Sequence, residues 1–265
     1  WENNEEREGI DSLLVKTLNY KQSWTEGVAG GYDMSLQVTI PNEWQQIAPV
    51  NIGYTAGIET DRISPEWVQN SNFMDRIIVV SNHAKYGFDN TAYQMEGQQD
   101  QVNPHGVLQC QTPVTVVNYP ARNTKPYEGL ELELEHDFNF LCVAQWGPRK
   151  NVPNTIKWFV EEFIDKPVGL VLKLSLSTNS NIDKIYTINH IQNILKSYPQ
   201  DRKCSVYLMH GSVEEDEMYA LYNNPKIKAL VSLTHGEGFG LPIFEAATAG
   251  LPVIAPDWSG QCDFL

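Results

Sequence analysis

The stretch "KALVSLTHGEGFGLPIFEAATAG" (228–250) decides the architecture. It opens on an apolar run, "KALVSL" (228–233), that reads as a parallel strand. "THGEGFG" (234–240) is the turn beyond the strand's carboxyl end, and "LPIFEAATAG" (241–250) is the helix that follows. Pro242 suits the first helical turn, where its missing N–H costs nothing. Gly236, Gly238 and Gly240 let the backbone bend sharply and let a ligand approach the amides. Ala246, Ala247 and Ala249 allow the helix to lie close to its sheet. The bend and the helix N-terminus together carry a partial positive charge that suits phosphate.

Two glutamates flank that bend, Glu237 on the loop and Glu245 eight residues later. A carboxylate beside phosphate is repulsive unless it contacts something else. Its natural partners are hydroxyl pairs, since one carboxylate accepts from two neighbouring O–H groups. The pattern suggests a ligand with a diphosphate in the middle and a polyol at each end, which describes a nucleotide-sugar. Taken alone, Glu245 also reads as a first-turn glutamate favoured by the helix dipole. Rival glycine motifs fit poorly: "GEGFG" is not GxGxxG, and no GK[ST] follows it.

Working outward, short β-branched apolar runs recur along the chain. They are "SLQVTI" (35–40), "VNIGY" (50–54), "RIIVV" (76–80), "VTVV" (114–117), "FNFLCVA" (138–144), "GLVLKLS" (169–175), "CSVYLM" (204–209) and "LPVIA" (251–255). They are nearly unbroken rather than alternating, as strands covered on both faces are. Helical patterns lie between the later ones, at 151–164, 181–198 and 212–223, with Asn151 and Ser212 as N-cap candidates. The alternation argues for an α/β chain with parallel sheets. "NYPARNTKPYEGLELELEHD" (118–137) carries two prolines and an acidic run, and reads as a connection. The run "ELELEHD" (131–137) itself reads as a solvated edge strand. The boundary then falls near 130–137, giving units 1–133 and 134–265. "EGVAGG" (26–31) reads as a simple glycine-rich turn.

The net charge of −14 over 265 residues argues against nucleic acid or an anionic membrane as main partner. The four cysteines form no CxxC pair, and no histidine cluster has metal-ligand spacing. Buried reduced thiols and a cytoplasmic location are expected. No apolar run approaches the ~20 residues of a membrane span. Trp1 opens the chain with no signal-peptide pattern behind it, so the start reads as an internal cut or a processed end.

"HGEGFGLPIFEAATAGLPVIA" resembles the E-x7-E signature of retaining glycosyltransferases with the GT-B fold, a family that includes bacterial mannosyltransferases and sucrose synthases. Upstream, "HGSVEEDEMYALYNNPKIKALVSLTHGEGFG" is similar to that family's glycine turn, short acidic helix and strand. "CVAQWGPRKNV" (142–152) resembles the segment opening its donor domain. "DRIIVVSNHAKYGF" (75–88) and "VVNYPARN" (116–123) resemble the end of its acceptor domain and the approach to its linker. The resemblance spans roughly 75–265.

It implies two Rossmann-like domains facing across a cleft, both incomplete here, with the acceptor side at 1–133 and the donor side at 134–265. It implies transfer of a sugar from a nucleoside-diphosphate donor with retention of configuration and no metal; no Asp-x-Asp occurs in the chain. The acceptor, whether saccharide, lipid or protein, is left open, as are the sugar and the base. By resemblance Glu237 contacts the donor sugar and Glu245 the ribose. The amides of Gly238, Phe239, Gly240 and Leu241 hold sugar and phosphate, and Lys150, with Arg149 beside it, grips the diphosphate. Such fixed cations and dipoles stabilise the charge that gathers on the leaving group. Where the family places an arginine just after the strand, Gln145 stands; Arg149, or Lys173 from the next strand, is the candidate substitute. Lys173 otherwise reads as a snorkelling side chain. Gly211, Val213 and Glu215 are the base-side candidates.

Smaller signals stay open between function and packing. Glu59 lies in a loop "ETDR" (59–62) after a strand, as an acceptor contact or a salt-bridged loop residue. His83 reads as a packed residue near a helix start or an acceptor contact, and His235 as a loop former or a sugar contact. His210 is expected in a loop or core role, and Trp158 in the core. Trp146 sits in the core or along the cleft. Two other readings remain: an epimerase or phosphorylase on the same fold, and a non-catalytic nucleotide-sugar-binding module.

Overall fold

The computed structural model describes residues 9, 11–17, 32–94, 106–121 and 130–265. The bend at 26–31 lies outside the described residues. Every apolar run singled out from the sequence is a strand, to within two residues at either end. The first sheet holds β1 (Met34–Val38), β2 (Val50–Thr55), β3 (Arg76–Val79) and β6 (Val114–Val116), parallel and adjacent in that order. Two short strands not foreseen, β4 (Ala92–Gln94) and β5 (Val107–Gln109), pair antiparallel. Helices α1 (Pro65–Ser71) and α2 (Asn82–Asn90) join the strands to a core of Trp44, Ile63, Val68, Ile77, Val79 and Phe88. Gly53 in β2 makes room for Trp44, because a Cβ there would lie 2.6 Å from the indole ring.

The second sheet is all parallel, in the order β11 (Val253–Ile254), β10 (Ile227–Val231), β7 (Asn139–Gln145), β8 (Gly169–Ser175), β9 (Ser205–Met209). Helices α3 (Val152–Phe163), α4 (Asn181–Leu195), α5 (Glu215–Tyr222) and α6 (Leu241–Thr248) connect these strands. β8 shows why its sequence does not alternate: Leu170, Leu172 and Leu174 are all buried, and so is Val171 on the opposite face. Burying each such side chain contributes roughly 1.5–3 kcal/mol. Apolar α3 residues Val152, Ile156, Phe159 and Val160 close one face at helical spacing. From β7 the chain builds outward to β8 and β9, then returns to place β10 on the other side of β7. In an open parallel sheet, such a reversal leaves a crevice beyond the carboxyl ends of the two central strands, where ligands bind.

The two sheet units touch directly. The Ser81 hydroxyl, at the N-cap of α2, donates to the Gly238 carbonyl at 2.5 Å. The Asp263 carboxylate accepts from the Asn82 amide at 2.9 Å and from the Asn118 side chain at 2.9 Å.

Several local expectations are corrected. The acidic run 131–137 is not a strand; Leu132 and Leu134 turn inward onto Leu141, Val171 and Leu230 of the second sheet unit, and its glutamates turn outward. Ser212 does not cap α5: Glu214 does, in a reciprocal box with Glu217, and Ser212 instead accepts from Asn179. Asn151 precedes α3 in a left-handed conformation, and its side chain bonds Leu233 and Asn154 rather than capping. Trp158 is half exposed, on the outer face of α3. Of the two places open to Trp146 it takes the core, packing on the α3 side of the second sheet and meeting His190 edge-on. Cys142 and Cys204 are buried free thiols, with burial pushing Cys142 up to about 12, but Cys262 is exposed and Cys110 half-buried. No helix among the described residues is long and apolar enough to cross a membrane.

Candidate active site

The crevice between β7 and β10 is where the chain gathers its charged groups. β7 ends at Gln145, and the following turn presents Arg149 and Lys150. β10 ends at Val231, and the following loop carries Glu237. Lys150 Nζ lies 2.5 Å from Glu237 Oε1, and Arg149 Nη1 lies 2.9 Å from Glu237 Oε2. Arg149 also donates to the Gly236 carbonyl and, from Nη2, pairs with Glu59 at 3.2 Å. Glu59 comes from the loop after β2, so the cluster spans both sheet units. Glu237 is 6% exposed, and its charge is tolerable because two cations meet it.

The backbone fixes this loop. Gly240 takes φ +95° at the N-cap of α6, a conformation that suits glycine. Pro242 sits in the first turn, as its missing donor requires. A Cβ on Gly236 would lie 2.2 Å from the Glu59 carbonyl, and one on Gly238 2.7 Å from the Ala56 carbonyl. These two glycines therefore admit the neighbouring sheet unit's backbone, a reason the ligand-centred sequence argument did not include. Phe239 is buried and packs edge-on against Tyr119 and Phe244. Among the described residues, no acceptor takes the N–H groups of Gly238, Phe239, Gly240 or Leu241. Four consecutive main-chain donors thus stand together at the start of α6.

Glu245 lies in the second turn of α6, not the first, so the simple helix-dipole explanation does not account for it. It accepts from the Tyr222 hydroxyl at 3.1 Å. Burial, then the Glu245 charge, push the Tyr222 phenol well above its ordinary range. Glu245 lines a cavity of about 440 Å³ together with Val213, Glu215, Met218, Tyr219 and Phe244. A second cavity, of about 330 Å³, is lined by Lys173, Gly211, Ser212 and Asn179, and it shares Val213 and Met218 as walls with the first. The Lys173 ammonium bonds the Gly211 carbonyl, and burial lowers its pKa.

The structure thus brings Glu59, Arg149, Lys150 and Glu237 into one cluster, runs Gly238–Leu241 away from it, and sets Val213, Glu215 and Glu245 around the adjoining cavity. Lys173 and Gly211 stand in the second cavity, apart from Arg149 and Lys150. The exposed Gln145 side chain donates to the Leu176 carbonyl. His83 is the second residue of α2, edge-on to Trp258 at 4.8 Å, with its buried Nε2 unpartnered among the described residues. His235 contributes its backbone, bonding Arg149 and Trp258, while its imidazole is exposed. No group of three potential metal-ligating side chains occurs among the described residues.

Sequence reasoning missed the supports. Asp183 is buried and accepts from His210 at 2.7 Å and from the amides of Leu176, Ser177 and Thr178. Burial would raise its pKa, but the His210 bond and those amides hold it well below the carboxylate range. It ties the loops after β8 and β9 together at the rim of the second cavity. The Ser180-x-x-Asp183 spacing was a readable helix-start signal. Ser259, which bonds the Glu237 amide, and Asp263 gave none.

Comparison with known proteins agrees with this geometry. Residues 203–265 match the family "Glycosyl transferases group 1". The chain is 33% identical over 123 residues to the serotype-specific mannosyltransferase WbdA of Escherichia coli, a match taking in 45% of this chain and only 13% of that protein. In structure it is similar to a trehalose-6-phosphate synthase studied for glycosyltransfer with retention (TM-score 0.57, 11% identity, 95% of this chain and 64% of that one). It is also similar to Anabaena Alr3699/HepE in complex with UDP and glucose (TM-score 0.53, 15% identity, 82% and 55%), and to S. aureus TarM in complex with UDP (TM-score 0.52, 15% identity, 83% and 39%). The parallel sheets, the crevice between β7 and β10 and these likenesses show the GT-B fold, and residues 203–265 match the glycosyl transferases group 1 family.

Proposed function

We propose that this chain carries the donor site of a glycosyltransferase that moves a sugar from a nucleoside-diphosphate sugar to an acceptor, with retention of configuration and without a metal. One observation carries the reading. Four main-chain donors without acceptors among the described residues, Gly238 to Leu241, lie between a carboxylate held by two cations and a carboxylate on a cavity of nucleoside size. The amides and the start of α6 take the diphosphate. Glu245 takes the ribose hydroxyls, and Val213 and Glu215 border the base. Glu237, at the other end of the amide row, takes hydroxyls of the transferred sugar.

As the glycosidic bond breaks, negative charge collects on the departing diphosphate. Lys150, Arg149 and the amides meet it with charge already in place, so little reorganisation is needed. Lys150 has three N–H groups and spends one on Glu237, which leaves two for phosphate oxygens. Retention follows if the acceptor attacks from the leaving-group face and its proton passes to the departing phosphate oxygen. The mannosyltransferase relative and the retaining trehalose-phosphate synthase fit this chemistry. The acceptor, saccharide, lipid or protein, meets the sugar from the first sheet unit, with Glu59 and His83 as candidate contacts. Buried free thiols fit a reducing compartment such as the cytoplasm.

The test is a thermal-shift titration with UDP, GDP and ADP, followed by anomeric assignment of any transfer product by NMR. Binding raises Tm with the logarithm of ligand over Kd. No shift up to millimolar ligand sinks the donor site, and an inverted anomer sinks retention.

A further inference from the structure

The second cavity has a chemical preference of its own. Lys173 sits near the carboxyl end of β8, between Val143 of β7 and Met209 of β9. Its ammonium reaches one acceptor, the Gly211 carbonyl, and no carboxylate pairs with it among the described residues. Lysine offers three donors and no acceptor, so two donors face the cavity. The pocket is built rather than accidental. Asp183 clamps the loop after β8 and, through His210, the loop after β9. Asn179 bonds Ser212 across the gap at 2.5 Å. The remaining wall is apolar except for Ser175: Val143, Ala144, Leu174, Val213 and Met218.

This cavity adjoins the one lined by Glu245, with Val213 and Met218 as the common boundary. A ribose held at Glu245 therefore points its base toward Val213, and the far edge of the base toward Lys173. We infer that Lys173 reads the nucleobase, selecting a ring with a carbonyl oxygen at that edge, uracil or guanine, against one with an amino group, cytosine or adenine. This rests on the nucleotide-sugar reading above. An amino group there sets donor against donor and leaves the ammonium with the Gly211 carbonyl alone, its other donors unmet. Buried unmet donors are what let polar sites reject close analogues. The Asn179 oxygen could accept from an amino group, but Asn179 is exposed at the rim, where water competes.

Isothermal titration of the purified chain with UDP, CDP, GDP and ADP tests the assignment. UDP and CDP differ on one edge only, carbonyl against amino at C4 and N–H against bare nitrogen at N3. Within each pair of equal ring size, the carbonyl base is expected to bind about tenfold tighter. Lys173→Met should bring the UDP-to-CDP ratio to within about twofold by weakening UDP rather than CDP, and Lys173→Arg should keep the preference. Equal binding within both pairs in the unaltered chain overturns the inference alone, as does a ratio that survives in a folded Lys173→Met. If that variant does not fold, the unaltered chain and Lys173→Arg decide. Failure of all four nucleotides to bind at millimolar concentration overturns the nucleotide-sugar reading and this inference with it.

Discussion

Glu237 and Glu245 sit at opposite ends of one glycine bend, and the protein treats them differently. Glu237 is buried and already carries Lys150 and Arg149, with Glu59 of the other sheet unit completing the cluster. Glu245 has a neutral tyrosine for a partner and borders a cavity. The first end is part of how the two sheet units hold together, whereas the second is a surface offered to a ligand. Sequence spacing makes the two residues a symmetrical pair, and their surroundings make them unequal. Removing charge at the first end should therefore cost folding stability, and at the second end mainly binding.

The sharpest way to break that contrast is Glu237→Gln. It keeps the volume but sets Lys150 against a buried neutral amide and leaves Arg149 with Glu59 as its counter-charge. Losing one partner of such a cluster costs about 3 kcal/mol, read as a lower denaturant midpoint, and transfer activity should fall with it. A variant as stable as the parent would show that the cluster is not structural. Next is Gly238→Ala, whose new methyl meets the Ala56 carbonyl of the other sheet unit. Overpacking there should cost about 2 kcal/mol in chemical denaturation. Unchanged stability would mean that the close approach of the two units is dispensable.

Glu245→Gln should reverse the balance. Nucleoside diphosphate affinity should fall about tenfold, equivalent to about 1.4 kcal/mol. Stability should move by less than about 1 kcal/mol, because the amide can still accept from Tyr222. A stability loss as large as that of Glu237→Gln would erase the distinction between the two ends. The smallest effect belongs to Glu59→Gln. Both members of the Glu59–Arg149 pair are more than a third exposed, and water screens such pairs to under about 0.5 kcal/mol. A larger drop in a thermal melt would assign the inter-unit contact to this pair rather than to the glycines and Asp263.

The second half of the chain was legible for particular reasons. Parallel strands buried on both faces leave unbroken apolar runs, and β8 shows them as plainly in its sequence as in its burial. The bend at 236–240 was equally readable, since glycines and Pro242 declare a backbone requirement that is local. Where two local signals compete, sequence reading fails. "ELELEHD" alternates like a strand, yet it joins no ladder among the described residues; its main chain bonds side chains instead, the Glu135 N–H to the Tyr207 hydroxyl and the Leu134 carbonyl to Lys226. Ser212 looked like a helix cap, but a glutamate box two residues later does that work.

By itself the sequence determined the strand–helix order, the glycine bend before α6, and the presence of two carboxylates and two cations able to serve one ligand. Those features follow from periodicity and backbone chemistry, which act over a few residues. Only the tertiary structure decided that Arg149, Lys150 and Glu237 neutralise one another, that Gly236 and Gly238 are small for the sake of a neighbouring backbone, and that Lys173 faces a cavity of its own. Each of those depends on which strand lies beside β7 and how closely the two sheets approach, and such contacts between distant residues leave no periodic trace along the chain.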